Sequence, residues 1–252
     1  MTHPGLTVVE RDTVAVVTID RPERRNALSI ELLRGLAGIF DSLSARPLRA
    51  VVLQGAAGCF SAGADLGELE GSLADLRVDN AVASAADAVR ACSLPVVAAI
   101  EGPCVGAAVE LAMSCDLCVV SDTAVFALPA VHLGLLYRPG AVAQLAAQLP
   151  PAVLSRLLLF GDRVRAEESV TLGLAAGPVA PATGALDAAL AVAGRLPDPP
   201  SDALRATKRL LVELRRGADP GAFEELRRTL LTSPARAAAL DAARERISGR
   251  RR

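Results

Sequence analysis

The chain has 252 residues, 52% of them apolar, and a formal net charge of −1. That length and apolar content suit one sizeable core with an appendage, and the near-neutral balance offers no footing for nucleic acid or an acidic membrane surface. No charge-free apolar run of about 18 residues occurs, and the N-terminus lacks a basic segment followed by an apolar stretch and a cleavage site, so a soluble cytoplasmic protein is expected.

Val14 to Ile19 reads as a strand ended by the turn Asp20-Arg21-Pro22, with Leu6 to Glu10 as its hairpin partner. Ser29 is placed to cap a helix whose Leu32, Leu36, Ile39, Phe40 and Leu43 recur at helical spacing, up to Arg46-Pro47. Between strand and helix, Arg24 and Arg25 stand in the loop RPERRNAL, either as surface arginines or as contacts for a phosphate-bearing ligand. Ala50 to Gln54 is a short apolar strand, followed by FSAGADL at residues 60 to 66. There Gly63 permits close backbone approach and Asp65 suits a helix cap, which leaves the N–H of Ala64 or its neighbour able to point into a site. Residues 67 to 93 read as a mobile loop and then a helix over Ala81 to Ala91.

The stretch from Pro95 to Asp116 is the centre of the chain. A β-branched run, Val96 to Ile100, breaks at Gly102-Pro103 and resumes as an Ala-rich helix over Gly106 to Ser114. Glu110 is its one acid, and its apolar neighbours deny it a solvated face, so its pKa should be raised. Ala107 lies three residues earlier on the same side, and the N–H groups of that first turn lack intrahelical acceptors and can receive an oxyanion. Two readings of Glu110 stand side by side: a structural carboxyl bonded to a backbone group or an arginine, and a poised acid–base group.

Further on, Leu117 to Ser121 reads as a strand and Ala124 to Ala127 as an extended piece. Helical patterns follow at Ala141 to Leu149, Ala152 to Phe160 and Ala166 to Leu172. Strands thus alternate with helices through residues 1–195, as in an α/β core. The stiff Leu196 to Pro200 connector opens a second region, 196–252, with helices at Ser201 to Arg215, Pro220 to Leu231 and Pro234 to Ile247, and Arg244 to Arg252 as a frayed tail. The five cysteines cannot all pair, and their apolar surroundings suit reduced, packed thiols. Cys115 and Cys118 have CxxC spacing without a second pair or a histidine cluster, so no metal is expected.

RPERRNAL (21–28), FSAGADL (60–66), PVVAAIEGPCVGAAVELAMSCDL (95–117), GDRVRAEESVTLGLA (161–175) and ALRATKRLL (203–211) together resemble the crotonase (enoyl-CoA hydratase/isomerase) superfamily, nearly end to end. The resemblance implies an α/β fold, a spiral of repeated ββα units with a helical C-terminal trimerisation region, in a homotrimer or dimer of trimers. It implies an acyl-CoA thioester as substrate and no separate cofactor. The backbone N–H groups of Ala64 and Ala107 would form the oxyanion hole, with Ala64, Asp65, Leu66, Gly67, Ala107, Arg24 and Arg25 as substrate contacts.

Glu110 matches the first of the two glutamates used by family hydratases. The second falls on Ala130, where PAVHLG (129–134) stands in place of PExxLG, and Ala107 and Ala108 replace helix-opening glycines. His132 and Tyr137, which flank the missing acid, are candidates to replace it. The default expectation is reversible hydration of a 2-enoyl-CoA. Double-bond isomerisation, decarboxylation and retro-Claisen cleavage are alternatives on the same oxyanion hole, and Ala130 also admits a non-catalytic acyl-CoA binder.

Overall fold

A computed structural model describes residues 3–197 and 201–249. The chain opens with the hairpin β1 (Leu6–Arg11) and β2 (Val14–Ile19), then α1 (Ile30–Leu43), capped by the Ser29 side chain, which accepts from the Leu32 N–H. β3 (Ala50–Gly55) pairs parallel with β2, and β4 (Val96–Ile100) pairs parallel with β3. After β4 the chain forms β5 (Pro103–Val105) and the short helix α3 (Ala107–Ala112), then β6 (Leu117–Val120) beside β4 and β7 (Val125–Ala127) beside β5. The result is a five-stranded sheet, β1-β2-β3-β4-β6, and a three-stranded sheet in which β7 lies between β5 and β8 (Arg163–Arg165).

From β4 to β7, successive strands therefore alternate between the large sheet and the small one. The parallel bridge from Ser61 to Cys104 extends this to the residues after β3. This is the ββα spiral that the motifs imply.

The apolar runs of β3 and β4 are buried along their length, as expected for parallel strands covered on both faces. On one face, α1 supplies Leu32, Leu33, Leu36, Ile39, Phe40 and Leu43 to the core, and α2 (Leu76–Ala91) supplies Val78, Ala81, Val82, Ala85, Ala86 and Val89. The other face is covered by α7 (Ala185–Ala193), whose Ala185, Ala189 and Ala193 pack on Val14, Val16, Val52 and Val97. Three elements go beyond what the sequence suggests: β5, where only a break at Gly102-Pro103 is expected, β8 and α7. The alanine-dominated ALDAALAVA has little apolar contrast between its faces, and a three-residue strand between arginines carries no strand pattern.

Two other expectations are corrected. The mobile loop expected before Ala81 is structured: α2 starts at Leu76, preceded by the 3-10 turns Leu66–Glu68 and Leu73–Asp75. The Asp75 carboxylate accepts from the N–H groups of Glu70 and Gly71 and fixes this entry, so the helical stripe begins at Val78. The expected frayed tail from Arg244 is also helical as far as Gly249. The rest of that tail, and residues 198–200 of the connector, lie outside the described residues.

Beyond α4 (Pro139–Ala146), α5 (Pro151–Leu158) and α6 (Ala166–Thr171), the C-terminal region consists of α8 (Asp202–Arg215), a 3-10 turn, α9 (Glu224–Leu231) and α10 (Pro234–Gly249). Helix α8 is fastened to the core by Lys208. Its ammonium donates to the Leu94 carbonyl (2.6 Å) and pairs with Asp116 (2.8 Å). Among the described residues, no helix is long and apolar enough to cross a membrane.

Candidate functional site

The loop after β3 and the chain entering α3 run side by side. The Ser61 N–H donates to the Pro103 carbonyl, the Val105 N–H donates to the Ser61 carbonyl, and Ser61 and Cys104 form a parallel bridge. Three residues beyond each bridge partner stand Ala64 and Ala107. Gly63 makes this approach possible: its φ is +97°, and a Cβ there would lie 2.6 Å from the Val105 oxygen and 3.6 Å from the Ala107 nitrogen. Gly106, with φ +58° and ψ −123°, turns the chain into α3. Among the described residues, the N–H groups of Ala64 and Ala107 have no acceptor, while those of Gly63, Asp65, Gly106 and Val109 do. Two free donors from separate segments thus meet at the wall of one cavity.

That cavity holds about 340 Å³ and is mainly apolar, with Leu66, Leu69, Val78, Val82, Leu133 and Leu135 among its lining. Ala64, Ala107, Glu110, Ala130, His132 and Tyr137 all border it. Glu110 is 4% exposed. Burial pushes its pKa up, and the adjacent Arg138 guanidinium counters part of that rise. Ala130 is buried in the wall and presents a methyl group where an acid was the alternative. His132 is exposed, with its imidazole against Gly161 at the cavity rim. Tyr137 is half-buried, and its hydroxyl oxygen is shielded from solvent and has no partner among the described residues. Burial raises its pKa, with the nearby Glu110 adding to the effect, so it remains a phenol and a donor.

Sequence reasoning missed two polar members of the cavity. Arg138, at the N-cap of α4, makes the ion pair with Glu110, so the structural reading of that acid, a carboxyl bonded to an arginine, describes its contact. Asp79, on α2, is half-buried with its pKa raised by burial, against the influence of Arg138. Each left a faint signal: Arg138 precedes a proline at the first position of a helix, and Asp79 interrupts the approach to the apolar stripe between Val78 and Val82.

The remaining candidates surround the cavity. Leu66 lines it, whereas Asp65 commits its side chain to Arg21 (3.1 Å) and to the Gly67 N–H (3.1 Å), a pairing with Arg21 that the motif did not disclose. Gly67 is exposed beside it. Arg24 and Arg25 are exposed and do not line the cavity, but the Arg25 carbonyl accepts from the Ala62 N–H, which ties their loop to FSAGADL. Cys115 and Cys118 are buried thiols on raised pKa values, Cys118 pushed up to about 12, which keeps them protonated and unreactive. Among the described residues, no cluster of His, Cys, Asp and Glu could hold a metal ion.

The interleaved sheets, the paired amides and the buried carboxyl define a protein of the crotonase fold. The sequence pattern of the enoyl-CoA hydratase/isomerase family matches residues 10–242, and the chain belongs to that family. It is 38% identical over 212 residues to a Thermus thermophilus protein named as a candidate enoyl-CoA hydratase, covering 82% of this chain and 83% of that one. It is 30% identical over 207 residues to the 2,3-dehydroadipyl-CoA hydratase of Escherichia coli, covering 82% and 81%. A crystal structure of an enoyl-CoA hydratase/carnitine racemase from Magnetospirillum magneticum superposes with a TM-score of 0.87 at 30% identity, covering 96% of this chain and 93% of that one.

Proposed function

We propose that the protein is an acyl-CoA-processing enzyme whose principal reaction is the reversible hydration of a 2-enoyl-CoA. The observation that carries this reading is the juxtaposition of two acceptor-free amides, Ala64 and Ala107, with the buried carboxyl of Glu110 on one cavity. The thioester oxygen takes both N–H bonds. As water oxygen adds to C3, electrons move onto that oxygen, and preorganised donors stabilise the resulting enolate more than the ground state, by about 3 kcal/mol each. Glu110 accepts a proton from the attacking water and delivers a proton to C2, which collapses the enolate to the 3-hydroxyacyl product and returns Glu110 to its carboxylate. A carboxyl with a raised pKa suits this exchange, because proton transfer is most effective when the group's pKa lies near the working pH.

Ala130 supports a second reading, double-bond isomerisation. A 1,3-proton transfer needs one carboxyl to remove a proton from one carbon and return it to another, whereas hydratases of the family use two. An assay that follows loss of the conjugated thioester absorbance with crotonyl-CoA, run beside one with a 3-enoyl-CoA, separates the two reactions. Binding of saturated butyryl-CoA without turnover of either substrate would leave a non-catalytic binder instead.

The same reading includes a homotrimer or a dimer of trimers acting in the cytoplasm, with no cofactor beyond the CoA of the substrate. The exposed apolar side chains of Leu136 (82%) and Phe160 (69%) near the cavity mouth favour a contact between subunits. Sedimentation at micromolar concentration tests it, and a monomer would reject it.

A further inference from the structure

Two adjacent residues of the cavity wall carry buried polar atoms that the described residues leave unsatisfied. The Tyr137 hydroxyl and the Arg138 Nε are both shielded from solvent, and neither has a hydrogen-bond partner among the described residues. They belong to adjacent residues bordering the same cavity, and Arg138 also holds Glu110 through its terminal nitrogen. A buried donor left unmade costs about 1–3 kcal/mol, so two of them beside a mainly apolar pocket imply that a bound ligand brings an acceptor.

The charge of the cluster indicates what kind of acceptor. Among the described residues, Arg138 is the one guanidinium on the cavity wall, and it acts on the carboxyls of Glu110 and Asp79. With both carboxyls ionised, these three groups sum to one negative charge. A ligand carboxylate would therefore gain no net attraction and would lose its hydration. A neutral oxygen pays little for desolvation and receives both hydrogen bonds.

Building on the acyl-CoA reading, we propose that Tyr137 and Arg138 form a subsite for a neutral oxygen substituent, keto or hydroxyl, on the acyl group beside Glu110. The subsite borders the same cavity as the buried methyl of Ala130 and would hold by hydrogen-bond donation what a second carboxyl would otherwise orient. In the hydration reaction, the oxygen it receives is the one joined to C3.

The test is calorimetric titration of the wild-type protein with butyryl-CoA, acetoacetyl-CoA and succinyl-CoA, which differ in bearing no acyl oxygen beyond the thioester, a keto group or a carboxylate. The same ligands are titrated into Tyr137→Phe, which removes only the hydroxyl, and Arg138→Lys, which keeps the charge on Glu110 but removes Nε. Acetoacetyl-CoA is expected to bind wild type at least about tenfold more tightly than the other two, since one added hydrogen bond is worth about that factor. The preference over butyryl-CoA should fall to about twofold in Tyr137→Phe and drop clearly in Arg138→Lys.

Equal binding of butyryl-CoA and acetoacetyl-CoA by wild type overturns the subsite. So does tightest binding of succinyl-CoA, or a preference that survives in both variants. If folded wild type binds none of the three, it is the acyl-CoA reading that fails, a result distinct from binding without discrimination.

Discussion

The guanidinium of Arg138 sits on the carboxylate of Glu110, joining the start of α4 to the middle of α3 across the cavity wall. Glu110 is thus subject to opposing influences of unequal strength. Burial dominates and raises its pKa, Arg138 and more weakly Arg90 oppose that rise, and Asp79 adds to it. The pair does not cancel the cost of burial, as expected where desolvation of a carboxyl exceeds what one partly exposed arginine returns.

This balance predicts opposite shifts of one pH limb. Where the ionised form of Glu110 is required, kcat/KM rises with pH through its pKa. Removing the cation in Arg138→Gln should move that limb to higher pH, and removing the like charge in Asp79→Asn should move it to lower pH. Profiles of kcat/KM for the three proteins check the signs, and shifts in the same direction would remove one of the two residues from the electrostatics of the site.

Glu110→Gln keeps the shape of the side chain and removes its proton chemistry. Turnover should fall by at least about 10²-fold with the affinity for a saturated acyl-CoA little changed, the signature of an interaction used in the transition state. Stability supplies an independent readout. A carboxyl whose folded pKa is raised contributes stability below the ordinary carboxylate range and loses it as pH rises through the folded value. Wild type should therefore lose stability relative to the Gln variant across that window in denaturant titrations, and a constant difference would contradict the raised pKa.

The placement of Glu110, Ala64 and Ala107 around one cavity was legible because motif spacing and local physics agreed. An acid inside an apolar helix has few environments open to it, and a glycine before a capped turn exposes amides. Arg138 and Asp79 were not legible, because their importance arises from tertiary placement. Each lies on a different helix from Glu110, and nothing within either segment signals that the three converge. The same reason hid the Arg21–Asp65 pair, whose members are 44 residues apart. In the fold, strands with β-branched runs and helices with strong apolar stripes could be read directly. Helix α7 could not, since alanine packs closely on a sheet without marking which of its faces does so.

Gly63 is the backbone hinge of the paired amides, and Gly63→Ala tests them without touching a catalytic side chain. The substitution places a methyl 2.6 Å from the Val105 carbonyl oxygen at a φ of +97°, so the loop must move. Strain of this kind costs about 1–3 kcal/mol. Because Ala64 and Ala107 flank the displaced contact, turnover should fall further than stability does, by about 10²-fold. A variant destabilised in urea titrations but with wild-type kcat would show that the two amides do not act on the reacting oxygen.

Lys208 offers the corresponding test for the C-terminal region. Its ammonium is buried under α8, donates to the Leu94 carbonyl just before β4, and shares Asp116 with the Val96 N–H, which donates to the same carboxylate oxygen at 2.7 Å. One cation thereby ties α8 to both ends of the central stretch, at the entry to β4 and the exit from α3. Lys208→Met keeps much of the packing volume but leaves the Leu94 carbonyl and part of the Asp116 charge unsatisfied. Asp116 retains some exposure and one backbone donor, which reduces the loss below that of a fully buried pair. Destabilisation of about 2 kcal/mol is expected, measured as a lower denaturation midpoint in urea. Because Lys208 does not line the cavity, residual activity per folded molecule should stay within about twofold of wild type. An unchanged midpoint would show that α8 is held to the core by its apolar face alone.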